Sequence, residues 1–108
     1  MELLTIPELA EALGIQITRA HQLVRDGQLI AVRGDDGVRR VPADFVQDGV
    51  VVKGLPGVIT LLRDAHYDDE EIVDWLFRAD ESLPGAPITA LRENRGTEVK
   101  RRAQAAGY

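Results

Sequence analysis

Polar side chains recur at a spacing of three in residues 16–25, a segment whose pattern predicts a helix. Arg19, Gln22 and Arg25 would lie along one side of that helix. An arginine can donate two parallel hydrogen bonds to a guanine edge, and a glutamine such as Gln16 or Gln22 can pair similarly with an adenine. These residue types at this spacing indicate a segment suited to contacting base edges or phosphates.

Two neighbouring side chains extend the same chemistry. Thr18 lies near the expected start of the helix, where a hydroxyl can bond a phosphate. His21 falls on the outward side and is expected to face DNA or solvent. The other histidine, His66, is 45 positions away and the chain has no cysteine, so no metal site is predicted.

The first element needed to hold this face is a preceding helix. Thr5 can cap its start, Pro7 suits its first turn, and Glu8 stands three residues after the cap. Apolar residues at positions 6, 9, 10 and 13 then recur at the spacing of a buried helical stripe. Gly14 suits the left-handed conformation that ends such a helix.

The second helix is predicted from about Gln16 to Arg25, and Asp26–Gly27 ends it. Its side chains divide between a buried and an exposed side. The inward residues are Ile17, Ala20, Leu23 and Val24. The outward residues are Thr18, Arg19, His21, Gln22 and Arg25.

A β-hairpin is predicted after the second helix. Two β-rich runs flank the sequence GDDG at residues 34–37, which is a strong turn signal. A two-residue turn at Asp35–Asp36 would place Arg33 and Arg40 on one face, because side chains alternate along a strand. The pairs it predicts are Arg33 with Val38, Val32 with Arg39, and Ala31 with Arg40, with Ile30, Val32 and Val41 on the buried face. A three-residue bulged loop would shift this register by one residue.

The charge of this region differs from that of the whole chain. The 108 residues carry a formal net charge of −5, which counts against a large non-specific surface for nucleic acid. Residues 16–41 hold five arginines against three aspartates, two of which form the predicted turn. We therefore expect a local basic face even though residues 1–49 sum to −3.

The composition also excludes several classes of function. A hydrophobic fraction of 44% suffices for a core, and the absence of cysteine removes disulfides and thiol catalysis. Neither a signal peptide nor a membrane-spanning run is apparent, so we expect a cytoplasmic protein without membrane contact. No nucleophile–base pair, phosphate loop or carboxylate dyad stands out, so the sequence predicts neither an enzyme nor a cofactor.

The second half of the chain is predicted to be helical. A turn at residues 53–57 marks a boundary between a domain of residues 1–52 and a domain of residues 53–108. Apolar residues after that turn keep the three- and four-residue spacing of amphipathic helices. The C-terminal domain is therefore expected to be a small helical bundle.

Four features of this half bear on function. Asp68 can cap a helix with Glu71, and the acids there suit a helix dipole better than a calcium loop. Trp75 is at core spacing, with a partner groove as the less favoured alternative. Thr97 can cap the last helix. The cluster Lys100–Arg102 is expected to be solvated rather than bound to phosphate.

Two helices followed by a hairpin are the element order of a winged helix-turn-helix. The second helix then enters the major groove, which is about 12 Å wide, while the first helix and the hairpin contact the flanking backbone. The predicted fold is therefore mainly α, with a small β-hairpin wing and a C-terminal helical bundle. The residues predicted to contact double-stranded DNA are Gln16, Thr18, Arg19, His21, Gln22 and Arg25 from the helix, and Arg33, Arg39 and Arg40 from the wing.

Several stretches carry a resemblance to a known family. LTIPELAEALGI and RAHQLVRDGQLIAVRGDDGVRRVP resemble the winged helix of excisionase-type and MerR-type DNA-binding domains. With VVKGLPGVITLLRDAHYDDEEIVDWLF and PITALRENRGTEVKRRAQAAGY, the chain resembles an actinobacterial family of winged helix-turn-helix DNA-binding proteins with a C-terminal helical domain. The resemblance implies sequence-selective or architectural DNA binding without catalysis, a recognition helix from Gln16 to Arg25 and a wing from Ala31 to Val41.

Other interpretations stay open. The same elements could form a packing unit whose arginines are merely solvated. The stretch DWLFRADESLPGAPITAL faintly resembles the toxin-binding region of helix-turn-helix antitoxins, which implies a protein-interaction module that exposes Trp75 or Phe77. Tight DNA binding would also need a homodimer or a protein partner, held through the C-terminal helices, because one module buries only about 600–1,000 Å².

Overall fold

The polypeptide alternates short strands and helices in its first half and is helical in its second. The computed structural model describes residues 1–107; Tyr108, the last residue of the predicted C-terminal domain, lies outside them. The first half consists of β1 (Leu3–Thr5), α1 (Ile6–Leu13), α2 (Ile17–Arg25), β2 (Val32–Arg33), β3 (Arg39–Pro42), a 3₁₀ turn (Ala43–Phe45), β4 (Val46–Gln47) and β5 (Val50–Val51). The second half consists of α3 (Leu55–Asp64), α4 (Asp69–Phe77), α5 (Pro87–Arg92) and α6 (Gly96–Ala105). The predicted fold class is thereby confirmed.

Helix α1 begins and ends at the predicted residues. The Thr5 backbone N–H donates to Glu8 Oε1 at 2.8 Å, and the Glu8 backbone N–H donates to Thr5 Oγ1 at 3.3 Å. The bond from the Thr5 backbone holds the pKa of Glu8 below its usual value. Gly14 ends the helix in the left-handed region, at φ 65°. Local capping chemistry therefore fixes the element that supports α2.

Strand β1 was not predicted. It pairs with β3 in antiparallel fashion, with Leu4 opposite Val41, and makes β3 the central strand of a three-stranded sheet. Three residues are too few to show the alternation that identifies a strand, and Thr5 also belongs to the helix cap. The wing hairpin is consequently anchored by the N-terminus of the chain.

The hairpin has the shifted register. Val32 lies opposite Arg40, and Arg33 lies opposite Arg39. The Gly34 backbone N–H donates to the Val38 carbonyl at 3.0 Å across the loop of residues 35–37. The two-residue turn predicted above is therefore wrong. Gly37 adopts φ 78°, which suits the bulge position of a three-residue loop.

The shifted register changes which wing arginines lie together. Directly opposite residues of an antiparallel pair share a face. Arg33 and Arg39 therefore share a face, whereas Arg40 shares its face with Val32. The expectation that Arg33 and Arg40 lie together is wrong for the same reason.

A single hydrophobic cluster crosses both halves of the chain. Leu9, Phe45 and Leu76 are all fully buried in it. The rings of Phe45 and Phe77 are 5.9 Å apart between centroids, which joins the first half to α4. The Arg92 guanidinium donates to the carbonyls of Asp44 and Val46, at 2.8 Å in each case.

The junction between the halves is shorter than predicted. Gly54 precedes α3 at φ 85°, and residues 55–57, expected to be part of a turn, form the first turn of that helix. Proline is well suited to such a first turn because it lacks an N–H, which explains how Leu55-Pro56-Gly57 can begin a helix.

The caps of the last helices show one agreement and one difference. The Glu71 backbone N–H donates to Asp68 Oδ1 at 2.8 Å, as predicted for the start of α4. Helix α6 begins at Gly96 rather than after Thr97, and Arg95 precedes it without a side-chain cap.

Trp75 packs half-buried against the core. Within residues 1–107, every helix is too short or too polar to cross a bilayer.

Candidate nucleic-acid interface

Helix α2 is attached to the body by one narrow side. Ala20 and Leu23 are buried and Val24 is half-buried against the core. The opposite side is open to solvent. All six residues predicted to contact DNA from this segment are exposed: Gln16, Thr18, Arg19, His21, Gln22 and Arg25.

Ile17 departs from its predicted inward position. Its side chain is 49% exposed. Side chains of an α-helix tilt toward its N-terminus, so the first residue of α2 projects past the start of the helix rather than onto α1. The buried stripe therefore begins one turn later, at Ala20.

Helical geometry sets the order of the exposed residues. At 3.6 residues per turn, Thr18, Gln22 and Arg25 point away from the buried Ala20, with Arg19 and His21 on opposite flanks. Gln16 precedes the helix without a side-chain cap, and the first turn contains no acid. The partial positive charge of the helix start is therefore not neutralised locally.

The wing arginines are in two different states. Arg33 and Arg39 are exposed and lie opposite each other. Arg40 is bidentate to Asp36, with Nη2–Oδ2 at 2.8 Å and Nη1–Oδ1 at 3.1 Å. The Arg40 hydrogen bond lowers the pKa of Asp36 to about 2, helped by the backbone N–H of Val38. Asp36 raises the pKa of Arg40 in turn.

A cleft of about 450 Å³ separates α2 from the wing and the second half. His21 and Arg25 line it from α2, Arg39 from β3, and Arg63 from α3. The structure thus brings three of the nine predicted site residues together around one space.

Arg63 links the end of α2 to the C-terminal half. Its Nη1 donates to the Gly27 carbonyl at 3.0 Å, and its Nη2 donates to Asp69 Oδ1 at 3.1 Å. Gly27 has φ 79°, and a Cβ there would collide with the Arg63 guanidinium. Sequence reasoning missed Arg63, because 36 residues separate it from Gly27 and no local pattern connects them.

The exposed arginines of the first half are not neutralised by acids. Among residues 1–107, Arg19, Arg25, Arg33 and Arg39 have no carboxylate at ion-pairing distance. This differs from the C-terminal basic cluster, where Arg101 pairs with Glu98 and Arg102 with Asp80. The same described range contains no cluster of three metal-ligating side chains.

Comparisons with known proteins match both halves of the chain. The family described as "DNA-binding protein Rv2175c, wHTH domain" matches residues 1–46. The family described as "Rv2175c C-terminal domain of unknown function" matches residues 52–107. The curated "DNA-binding protein Rv2175c" of Mycobacterium tuberculosis (strain ATCC 25618 / H37Rv) is 40% identical over 115 residues, covering 95% of this chain and 79% of the relative.

A solved structure gives the same result. The chain matches a structure titled "NMR structure of Rv2175c" with a TM-score of 0.89 and 38% sequence identity. The match covers 99% of this chain and 82% of that one. The likeness therefore includes the wing and the helical half together.

Proposed function

The chain belongs to the Rv2175c family, and from this premise we propose that it binds double-stranded DNA through α2 and the wing. The observation that carries the proposal is the exposed side of α2, whose arginines have no carboxylate partner in the described part of the chain. Cations that are not internally paired are available to neutralise phosphates and release counterions.

In the proposed complex α2 lies in the major groove. Thr18 and Gln22 face the groove floor, since they point away from the buried side of the helix, and Arg25 lies between the floor and the His21 flank. Arg19 and His21 lie on the two flanks, where the long Arg19 side chain reaches a base edge beside the groove wall, and Gln16 lies at the helix start. Glutamine and arginine are the side chains that pair best with adenine and guanine edges.

The wing contributes phosphate contacts. We assign these to Arg33 and Arg39, which share an exposed face. Arg40 was predicted to make the same contact, but a phosphate would have to displace Asp36 from it. Its contribution is therefore expected to be smaller than that of the other two.

Tight binding requires more surface than one module offers. A single module buries about 600–1,000 Å² of protein surface, so we propose that a second copy docks through the C-terminal helices. An open groove of about 870 Å³ there is lined by Tyr67 and Trp75 together with charges of both signs, such as Asp74 and Arg102. A surface with both signs can be self-complementary across a two-fold axis.

The protein acts in the cytoplasm as a transcriptional regulator or an architectural factor, and it has no catalytic step. Residues 1–52 form the DNA-binding unit and residues 53–108 the assembly unit. The finer resemblance to excisionase-type and MerR-type domains stays a prediction.

An NMR titration with mixed-sequence duplex DNA tests the proposal. We expect the amides of α2 and residues 33–40 to move first, while those of α6 stay in place. Sedimentation of the free protein tests for the second copy. If the duplex leaves α2 unchanged and a protein partner instead shifts the residues around Trp75, the protein-interaction alternative replaces DNA binding.

A further inference from the structure

We propose that the cleft between α2, β3 and α3 is a phosphate-binding site, and that Arg63 brings the C-terminal half into the DNA interface. This inference rests on the proposed function and deepens it. It adds a contact from a residue outside the winged helix-turn-helix, and it names the ligand chemistry as an oxyanion of the DNA backbone.

The cleft has an excess of positive side chains, which favours binding of an anion. Arg25, Arg39 and Arg63 all line its approximately 450 Å³, and His21 lies beside them. Asp69 is the acid of that lining, and Arg63 already binds it. Like charges that share one space repel each other, and a phosphate between them reverses the sign of that interaction.

Arg63 is held in place for such a role. The Gly27 carbonyl and the Asp69 carboxylate each accept one of its hydrogen bonds, and its side chain is 32% exposed. A guanidinium carries five N–H donors in a fixed plane, a geometry that suits two oxygens of one phosphate. A fixed arginine loses less conformational entropy on binding than a mobile one.

The DNA backbone is the source of phosphate that fits this position. The cleft lies on the His21 flank of α2, between that helix and the wing. A helix in the major groove has a phosphate backbone along each of its sides. A phosphate on this flank would meet Arg25 from the helix and Arg39 from the wing at once.

A pair of charge-neutralising variants separates this role from a purely structural one. Log affinity falls as log salt rises, and in the full-length protein Arg63→Gln should make this slope shallower by about 0.9, the value for one lost phosphate contact. Asp69→Asn removes the carboxylate that competes for Arg63 and should raise duplex affinity several-fold. If Arg63 only held the two halves together, Asp69→Asn would weaken binding or leave it unchanged.

Glu70→Gln is the matched control. It makes the same change in net charge, one residue away, at a side chain that does not line the cleft. Asp69→Asn should raise duplex affinity clearly more than Glu70→Gln does. Equal gains for the two variants would overturn the inference. Thermal unfolding of each variant keeps folding defects apart from binding effects.

Two further outcomes are distinguishable. If wild-type protein does not bind duplex DNA, the proposed function fails. If it binds and α2 amides move, but the Arg63→Gln and wild-type salt slopes coincide, only this inference fails. An NMR titration with inorganic phosphate is the second experiment. We expect weak chemical-shift changes of the Gly27 and His21 amides, which bound duplex DNA should suppress. Shifts that persist with bound duplex indicate a free-anion site and overturn the backbone assignment.

Discussion

The two halves of the molecule differ in whether most of their arginines are paired with acids. Residues 1–52 sum to −3, more negative than the −2 of residues 53–108, yet their arginines at 19, 25, 33 and 39 have no carboxylate partner in the described part of the chain. In the second half, the arginines at 78, 95, 101 and 102 are all paired with acids. Net charge is therefore a poor guide to DNA binding here, because the availability of each cation matters more than the total.

The largest expected effect is on the free energy of unfolding, through the hydrophobic core that both halves share. Phe45→Ala should destabilise the protein by about 3–5 kcal/mol, the usual cost of emptying a buried aromatic site, because Phe45 is fully buried against both halves. Urea unfolding followed by Trp75 fluorescence reports on the second half. The midpoint of that transition should fall although the substitution lies in the first half.

Ile17→Ala is the control for that experiment. Ile17 is half-exposed, so its truncation should change stability by no more than about 0.5 kcal/mol. If Phe45→Ala leaves the urea midpoint of the Trp75 transition unchanged, the halves unfold independently. The two halves compared above would then be two separate domains.

The next effect concerns the recognition surface. Arg19→Ala should weaken binding to a preferred duplex by about 1–3 kcal/mol and relax sequence preference, because Arg19 is proposed to reach a base edge. Arg101→Ala removes another exposed arginine, one that is paired with Glu98. A fluorescence anisotropy titration should show a much smaller loss for Arg101→Ala, and similar losses would remove the distinction between paired and unpaired arginines.

A smaller effect is expected from releasing Arg40. Asp36→Asn removes the carboxylate that holds Arg40, while the amide oxygen can still accept from the Val38 N–H. Duplex affinity should rise and its salt slope should steepen, by up to about 0.9 if Arg40 gains a phosphate. Asp35→Asn makes the same change in charge at a residue that does not bind Arg40. If Asp36→Asn raises duplex affinity no more than Asp35→Asn does, the pairing argument is contradicted.

The smallest effect is the pH response of the wing. The pKa of Asp36 falls from the ordinary 3.8 to about 2 because Arg40 binds its ionised form. The carboxylate thus stabilises the folded wing fully above about pH 4 and loses that contribution as the pH falls toward 2. Carbon-detected NMR titration of Asp36 should give the low midpoint in wild type and a clearly higher one in Arg40→Ala, where only the Val38 N–H still binds the carboxylate.

Sequence reasoning succeeded where the deciding contacts are local. The caps Thr5–Glu8 and Asp68–Glu71 each join residues three positions apart, and both form as the pattern predicts. The outward side of α2 also follows from its helical period. Those features depend on short-range hydrogen bonding and on burial of one stripe, which the sequence specifies directly.

The failures concern choices that a local pattern leaves open. GDDG suits both a two-residue and a three-residue loop, and the register decides whether Arg40 lies beside Arg33 or beside Val32. Pairing of Arg40 with Asp36 follows only once that register is known. The contact of Arg63 with Gly27 depends on tertiary packing of distant segments, so no window of sequence contains it.

The salt dependence of duplex binding tests the central claim most directly, since it counts the phosphates that a protein neutralises. The double variant Arg33→Ala/Arg39→Ala should make the negative slope of log affinity against log salt shallower by about 1.8, two contacts at about 0.9 each. The double variant Arg78→Ala/Arg101→Ala, which removes two paired arginines of the second half, should leave it unchanged. Equal slopes for the two double variants would contradict the account.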